Sequence, residues 1–148
     1  MKFTKSLTIA AALFSAVALG APAMAQESNY KPGSVWQSSR IKVLPGQFEN
    51  YMDWLKNNWK PNMEFLKAEG WLLSYHVLSV NHRRDGEPHL ILVQEWRDYP
   101  TNAQMDQMSD KWLASRRSND REAATQNGAR QVMRIQRGNM QMQELVLK

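Results

Sequence analysis

The feature that most constrains the fold is a pair of apolar segments joined by a turn signal, within residues 71–97. Asp85 and Gly86 suit a two-residue β-hairpin turn, because glycine readily adopts the positive φ that such turns need. The flanking segments, Trp71–Val80 and His89–Arg97, are rich in aliphatic, aromatic and β-branched residues. The sequence therefore predicts an antiparallel hairpin made of two apolar strands.

The hairpin also carries the sharpest candidate for chemistry. If the turn alone sets the register, His76 lies opposite Glu95, and His82 lies opposite His89. A carboxylate beside an imidazole fixes its tautomer, as general-base catalysis requires, so His76 and Glu95 are candidate catalytic residues. The same geometry also satisfies a structural histidine in a buried sheet or a dimer interface, and both interpretations remain open.

The segments around the hairpin complete a β-α-β-β-α-β order. A first strand is predicted over Val35–Leu44. An amphipathic helix follows, ends at Gly70, and has a kink or restart near Trp59–Pro61, because proline lacks the N–H of the helical hydrogen bond. Its apolar residues at helical spacing are Phe48, Tyr51, Met52, Leu55, Trp59, Met63 and Leu66.

A second helix is predicted to begin after Thr101, which forms a capping-box pattern with Gln104. Its apolar stripe fades after Trp112, so residues up to 137 form either two helical pieces or one bent helix. Residues 139–148 alternate and favour a final strand. This order predicts an α+β, ferredoxin-like antiparallel sheet with both helices on one face.

The predicted strands are apolar on both faces, although two helices cover only one of them. The two sets are Leu73, Tyr75, Val77, Leu90, Leu92 and Trp96 on one face, and Leu78, Val80, Ile91 and Val93 on the other. A second apolar face needs a cover, and a second copy of the chain supplies it most simply. The sequence therefore predicts a homodimer that associates sheet to sheet.

Two segments carry a family resemblance. KVLPGQFENYMDWL, residues 42–55, is a strand, a Pro-Gly turn and an aromatic helix; LILVQEWRDYP, residues 90–100, is a strand ending in Glu-aromatic, with an acid just before the second helix. The chain resembles the dimeric α+β barrel superfamily over residues 35–148. That superfamily includes antibiotic-biosynthesis-monooxygenase-like, NIPSNAP-like and EthD-like domains. The resemblance implies a ferredoxin-like homodimer that binds a small ligand, with cofactor-independent catalysis on that ligand as a further hypothesis.

The second helix departs from the pattern of some of these relatives. The monooxygenase-like and haem-degrading members tend to carry a histidine early in this helix. The corresponding segment here, TNAQMDQMSDKWLASRR, has none, and all three histidines lie in the hairpin. This difference counts against haem degradation and against a direct transfer of oxygenase chemistry.

The N-terminal residues predict export. Lys2 and Lys5 precede an apolar run from Leu7 to Leu19, and Ala23-Met24-Ala25 forms a small-x-small cleavage site. We expect cleavage after Ala25, a disordered lead over residues 26–34, and one domain over residues 35–148 in a bacterial periplasm or outside the cell. The run is too short for a membrane span, which needs about 20 apolar residues.

Several side chains are candidates for binding a ligand. Trp54, Trp59, Met63, Tyr75, Trp96 and Trp112 are predicted either to line a pocket between the helices and the sheet or to form ordinary core. Arg40 and Arg97, near Ser74, are predicted either to hold an anionic ligand or to form an Arg–Glu network that fixes the dimer. The candidate ligand-binding residues are thus Tyr75, Trp96, Trp59, Met63, Arg40 and Arg97.

A basic helical face is predicted from Arg130, Arg134 and Arg137, which follow helical spacing. A solvated face is the ordinary interpretation, and export makes nucleic acid an unsuitable partner. The sequence has no cysteine, no glycine-rich phosphate loop and no metal-ligand spacing of the HExxH kind. We therefore expect no metal and no cofactor; His82 and His89 alone would make a poor metal site.

These observations favour a periplasmic protein that binds a small apolar or aromatic molecule, with the further hypothesis of cofactor-independent catalysis on it. One alternative is a non-catalytic dimeric interaction module of the cell envelope, which uses the basic helical face. A second alternative is a cofactor-free, monooxygenase-like enzyme. The sequence by itself does not choose among them, because function depends on the site and not on the fold.

Overall fold

Residues 28–148, the part of the chain that the computed structural model describes, form four strands and four α-helices. The predicted signal peptide, residues 1–25, lies outside the described residues. The elements in chain order are β1 (Tyr30–Val43), α1 (Phe48–Trp54), a π-helical segment (Leu55–Trp59), α2 (Lys60–Ala68), β2 (Leu72–Ser79), β3 (Leu90–Trp96), α3 (Asn102–Arg116), α4 (Asp120–Ala129), a 3₁₀ turn (Arg130–Val132) and β4 (Arg134–Leu147).

The strands form one antiparallel sheet in the order β2-β3-β1-β4. β3 lies between the parallel strands β1 and β2, and β1 lies between β3 and β4. Two split βαβ units therefore interleave, which is the arrangement of a ferredoxin-like fold. The predicted α+β class is confirmed, and its layout fits that of the dimeric α+β barrel fold.

The first helical region changes its winding ahead of Pro61. The π-helical segment, Leu55–Trp59, separates α1 from α2, so the predicted irregularity near Trp59–Pro61 is confirmed. Pro61 has no N–H to offer the carbonyl of Asn57 and would crowd it, and a wider turn relieves both problems. α2 then ends as predicted at Gly70, whose φ is +78°, with hydrogen bonds from Gly70 N–H to Lys67 O and from Trp71 N–H to Leu66 O.

The second helical region is two helices. Thr101 and Gln104 form the predicted capping box at the start of α3. The break comes at Arg117, which adopts a left-handed φ of +51°, and Asn119 then caps α4 by accepting a hydrogen bond from Glu122 N–H at 3.1 Å.

The hairpin forms, but the register predicted for it is wrong. The ladder pairs His76 with Val93 and Ser74 with Glu95. The turn is as predicted, since Glu87 N–H donates to Arg84 O at 3.2 Å. The shift arises between turn and ladder, where residues 81–83 lie on one side and Pro88 alone on the other.

Two backbone features of this loop explain the shift. Pro88 has no N–H to extend the ladder beyond the bond from Val80 N–H to His89 O. His82 adopts a φ of +53°, which turns the chain out of the extended conformation. His82 therefore does not pair with His89, contrary to the prediction.

β1 begins earlier than predicted. It starts at Tyr30, so residues 30–34 of the predicted disordered lead belong to the strand. β4 pairs with this end of β1, as in the pair Tyr30 and Leu147. Ser34, which is buried, is further held because its hydroxyl donates to Glu95 at 2.9 Å and its N–H donates to Glu144 at 3.2 Å.

The core lies between the sheet and the helices. One side of the sheet contributes Ile41, Val43, Leu72, Leu90 and Leu92; the helical regions contribute Tyr51, Leu55, Trp59, Met63, Leu66 and Met108. The other side, which we call the open face, carries Trp36, Leu78, Ile91, Val93, Met140 and Met142, because these residues alternate with the core residues or lie opposite one another in the ladders.

Candidate functional site

A cleft of about 340 Å³ lies between the first helical pair, α1–α2 with the π-helical segment, and the second pair, α3–α4. We call it the tryptophan cleft. The side chains that matter for its chemistry are Trp54, Trp59, Trp112, Arg116, Arg117 and Arg130. Its volume falls at the lower end of the range found for small-molecule sites, about 300–1,000 Å³.

The π-helical segment places two of the tryptophans. Trp54 and Trp59 are five residues apart and would lie far apart around a regular α-helix. In a π-helix, hydrogen bonds run between residues five apart, which brings these two toward the same side. Trp54 stacks on Tyr51 with a centroid separation of 6.1 Å, and Trp59 meets Tyr75 edge-on at 5.3 Å. Both indoles are therefore held by neighbouring rings.

Trp112 supplies the opposite wall from α3. Its ring contacts Phe65 of α2 with a centroid separation of 5.4 Å. The guanidinium of Arg116, one turn further along α3, lies 5.4 Å from the centre of the Trp112 ring. This arrangement holds a cation over an indole at the edge of the cleft.

Arg130 repeats this arrangement on the other wall. It follows α4, and its guanidinium lies 5.1 Å from the centre of the Trp54 ring. Burial lowers the pKa of Arg130, and the nearby charge of Arg134 lowers it further. Arg134 itself lies 5.7 Å from the centre of the Tyr51 ring. The site thus combines stacked aromatic surfaces with guanidinium groups.

The cleft also has carboxylates, at the start of α4. Asp120 and Glu122 line it, and Glu122 accepts a hydrogen bond from Ser118 Oγ at 2.8 Å. In the described part of the chain, the one ion pair within 4.0 Å joins Lys111 and Glu69. The cleft arginines therefore form no ion pair with these acids.

The structure separates the two predicted catalytic residues. Glu95 accepts hydrogen bonds from Ser74 Oγ at 2.7 Å and from Ser34 Oγ at 2.9 Å. His76 is exposed on the open face, opposite Val93. The pairing that motivated a general base is thus absent, and a catalytic role for either residue stays a prediction.

Four predicted ligand-binding residues belong to the core or pack against it, and one of them, Trp59, also lines the tryptophan cleft. Trp59 and Met63 are buried in the core, and Tyr75 and Trp96 pack against it. The hydroxyl of Tyr75 donates to Glu64, and this hydrogen bond, more than burial, raises the pKa of Tyr75 to about 12. The helix–sheet interior is filled by these side chains, and the cleft lies among the helices instead.

Arg40 and Arg97 are not brought together. Arg40 is exposed on the open face, opposite Ile91. Arg97 lies beyond the end of β3, where its Nε donates to Gly70 O at 3.3 Å. Neither the predicted anion site nor the predicted Arg–Glu network forms between them, and a ligand-binding role for each stays a prediction.

The predicted basic helical face is wrong. Arg134 and Arg137 belong to β4, and Arg130 lies in the 3₁₀ turn before it. Their helical spacing led to the wrong assignment. β4 begins at Arg134, whereas the alternating pattern that predicts this strand starts at residue 139. Arg130 is nevertheless a functional candidate, for its position over Trp54 and not for a helical face.

Among residues 28–148, no group of three or more histidine, aspartate or glutamate side chains is arranged to hold a metal ion. None of the helices described there has the length and apolar content required to cross a bilayer.

Comparison with known proteins gives few matches. No protein-family model and no curated protein matches the chain. It is similar to the solved structure of PA3566 from Pseudomonas aeruginosa, with 17% identity, a TM-score of 0.45, and coverage of 78% of this chain and 96% of that one. It is also similar to a structure named a putative monooxygenase from Shewanella loihica, with 14% identity, a TM-score of 0.39, and coverage of 80% and 96%.

Proposed function

We propose that the protein binds a small aromatic molecule in the tryptophan cleft. The observation that carries this proposal is the convergence of Trp54, Trp59 and Trp112, from two helical pairs, on one cavity of about 340 Å³. Indole faces offer large, rigid contact areas to a flat ligand. Asn58 and Asn62 add amide groups that can orient polar substituents.

The organisation of the cleft supports this proposal over a site in the helix–sheet interior. The interior residues Met63 and Leu66 are 3% and 7% exposed, so a ligand there would have to displace core. The cleft is open without any such displacement. Its rings are also fixed by neighbours, which reduces the conformational entropy lost on binding.

Titration with an uncharged aromatic probe, 2-naphthamide, tests the site. We expect saturable quenching of tryptophan fluorescence. Trp112→Ala is expected to weaken the affinity about tenfold, because one stacking wall is lost. Tyr99→Ala removes an exposed aromatic ring outside the cleft and serves as the control. Unchanged affinity in Trp112→Ala would rule out this site.

We also propose that the protein is a homodimer that covers the open face. Leu78, Met140 and Met142 are 49%, 41% and 40% exposed there, beside Trp36, Ile91 and Val93. These side chains come from all four strands, and a patch of this kind on a monomer favours association. The sheet-to-sheet contact with a second copy is the predicted arrangement.

Sedimentation velocity tests the dimer. We expect a dimer for the unmodified protein and a monomer for Leu78→Glu, which puts a charge into the contact. The exposed position of Leu78 should leave the folded protomer intact, and circular dichroism checks this. A monomeric unmodified protein would contradict the proposal.

Export to the periplasm or the outside, with cleavage after Ala25, is part of the same proposal. Its support is the sequence of residues 1–25, with its lysines, apolar run and small-x-small site. N-terminal sequencing of protein recovered from the periplasm should begin at Gln26. Recovery of the uncleaved chain from the cytoplasm alone would overturn this part.

Catalysis is a further hypothesis, tested at His76 and Glu95, which lie on the open face, across the sheet from the tryptophan cleft. A reaction at these residues would act on a molecule bound at the open face, and alanine substitution of either residue should abolish its turnover. Turnover that survives both substitutions would remove these residues from any mechanism.

A further inference from the structure

Arg130 and Arg134 are two neighbouring cations without a carboxylate partner. Both are half-buried, and each lies over an aromatic ring, Trp54 and Tyr51 respectively. In the part of the chain that the structure describes, neither guanidinium has a carboxylate within 4.0 Å. Their charges interact, since Arg134 contributes to the lowered pKa of Arg130. Two like charges held in this way favour an anion between them.

A second hollow, of about 540 Å³, adjoins the tryptophan cleft at Arg130 and is also lined by Arg134. We call it the arginine groove. Its polar lining consists of Asn127, Arg130, Gln131, Arg134 and Gln136. No carboxylate is among the described residues that line it, while amide and guanidinium groups supply several hydrogen-bond donors.

Arg130 connects the two cavities. Arg130 and Asn127 line both the arginine groove and the tryptophan cleft. The cleft acids, Asp120 and Glu122, lie in the first turn of α4, whereas Arg130 follows its last residue. At 1.5 Å per residue, about 15 Å of helix separates Asp120 from Arg130. The arginine end of the cleft is therefore distant from its acidic end.

We propose that the ligand is an aromatic anion, whose ring lies among the indoles and whose oxyanion group binds Arg130 and Arg134. This inference rests on the proposed function and adds the chemical class of the ligand. A carboxylate, sulfonate or phosphate attached to an aromatic ring has the required shape. Guanidinium groups match such oxyanions through paired N–H donors.

The test compares two probes of nearly the same shape, 2-naphthoate and 2-naphthamide, by isothermal titration at neutral pH and low ionic strength. We expect the anion to bind the unmodified protein at least about tenfold more tightly, because hydrogen bonds to charged groups are the stronger ones. Added salt should reduce this preference. Equal affinities would overturn the inference while leaving the proposed function in place.

Substitutions show which side chains cause the preference for 2-naphthoate. Arg130→Gln and Arg134→Gln should each remove most of the preference for 2-naphthoate and change 2-naphthamide affinity much less. Arg121→Gln is the matched control, since this exposed arginine of α4 lines neither cavity. A preference that survives both glutamine variants would overturn the inference, and failure of both probes to bind would overturn it together with the proposed function. The comparison in the unmodified protein holds even if a variant folds poorly.

Discussion

The two helical pairs lie on the same side of the sheet but differ in how they are held. The first pair and its π-helical segment bury Tyr51, Leu55, Trp59, Met63 and Leu66. The second pair buries Met108 alone among its described residues. The rest of its contact with α2 includes the Phe65–Trp112 ring contact and the Lys111–Glu69 ion pair.

This difference explains why a cleft exists. A helix that buried a full apolar stripe would close against its neighbour, as α1 and α2 close against the sheet. α3 and α4 lack such a stripe, so they stand away from the first pair and leave Trp54 and Trp112 partly accessible. The first pair thus builds the core, and the second forms a wall of the tryptophan cleft.

The largest expected effect comes from truncating one methionine in each pair. Met63 of α2 is 3% exposed and Met105 of α3 is 46% exposed. Met63→Ala should lower the free energy of unfolding by about 3 kcal/mol, through lost burial and a cavity. Met105→Ala should change it by less than about 0.5 kcal/mol. Urea denaturation measures both values, and similar losses would mean that the pairs are equally packed.

The first pair was also the more predictable one from sequence. Its stripe from Phe48 to Leu66 and the stops at Pro61 and Gly70 are strong local signals. The break between α3 and α4 lies at Arg117, which adopts a left-handed conformation although arginine is not a residue type that favours it. Where the apolar stripe fades, tertiary packing no longer constrains the helix. The spacing of apolar residues therefore does not indicate where the helix breaks or where it ends.

The faces of the sheet were predictable, whereas the partners were not. From Ser74 to Ser79 the ladder is shifted by two residues from the predicted register, which changes every partner but keeps each side chain on its face, because side chains alternate with a period of two. Leu78, Ile91 and Val93 therefore share the open face as predicted, although His76 and Glu95 do not pair. A bulge between Leu72 and Ser74 interrupts this alternation, so Leu72, and not the predicted Leu73, is buried in the core.

The residues that line the tryptophan cleft were only partly predictable from sequence. Trp54, Trp59 and Trp112 were candidates for a pocket, but for one between helices and sheet, and of the six candidate ligand-binding residues Trp59 alone lines the cleft. The cleft depends on the gap between two helical pairs, which is a long-range property. The sequence assigned Arg130 and Arg134 to a helical face, because their spacing suits a helix as well as the turn and strand that they occupy.

The next effect concerns two helix ends with the same geometry and different residues. Gly70 after α2 and Arg117 after α3 both have positive φ and the same pair of closing hydrogen bonds. Gly70→Ala should lower the free energy of unfolding by about 1 kcal/mol, because a residue with a Cβ is strained at this positive φ. Arg117→Gly should raise the free energy of unfolding by about 0.5–1 kcal/mol, because glycine relieves that strain. Arg117→Ala is the control, and an equal gain from it would attribute the effect to the lost side chain.

A smaller effect is the pH dependence of the contact between α2 and β2. The hydrogen bond to Glu64 raises the pKa of Tyr75 from 10.0 to about 12. From about pH 10 to pH 12, the unfolded chain loses this proton while the folded chain keeps it, so the free energy of unfolding falls as pH rises. Tyr75→Phe should flatten this decline in urea titrations, and the exposed Tyr99→Phe should not. A parallel decline in both variants would mean that the contact does not couple folding to pH.

The smallest effect is expected at the ion pair that links the two helical pairs. Lys111 Nζ and Glu69 Oε2 lie 2.5 Å apart, with side chains 47% and 31% exposed. Solvent screens such pairs, so Lys111→Ala should lower the free energy of unfolding by about 0.5 kcal/mol, and high salt should erase this difference. Lys111→Arg keeps the charge and is the control. A loss as large as that of Met63→Ala would mean that charge, and not the thin apolar contact through Trp112, holds the wall of the cleft in place.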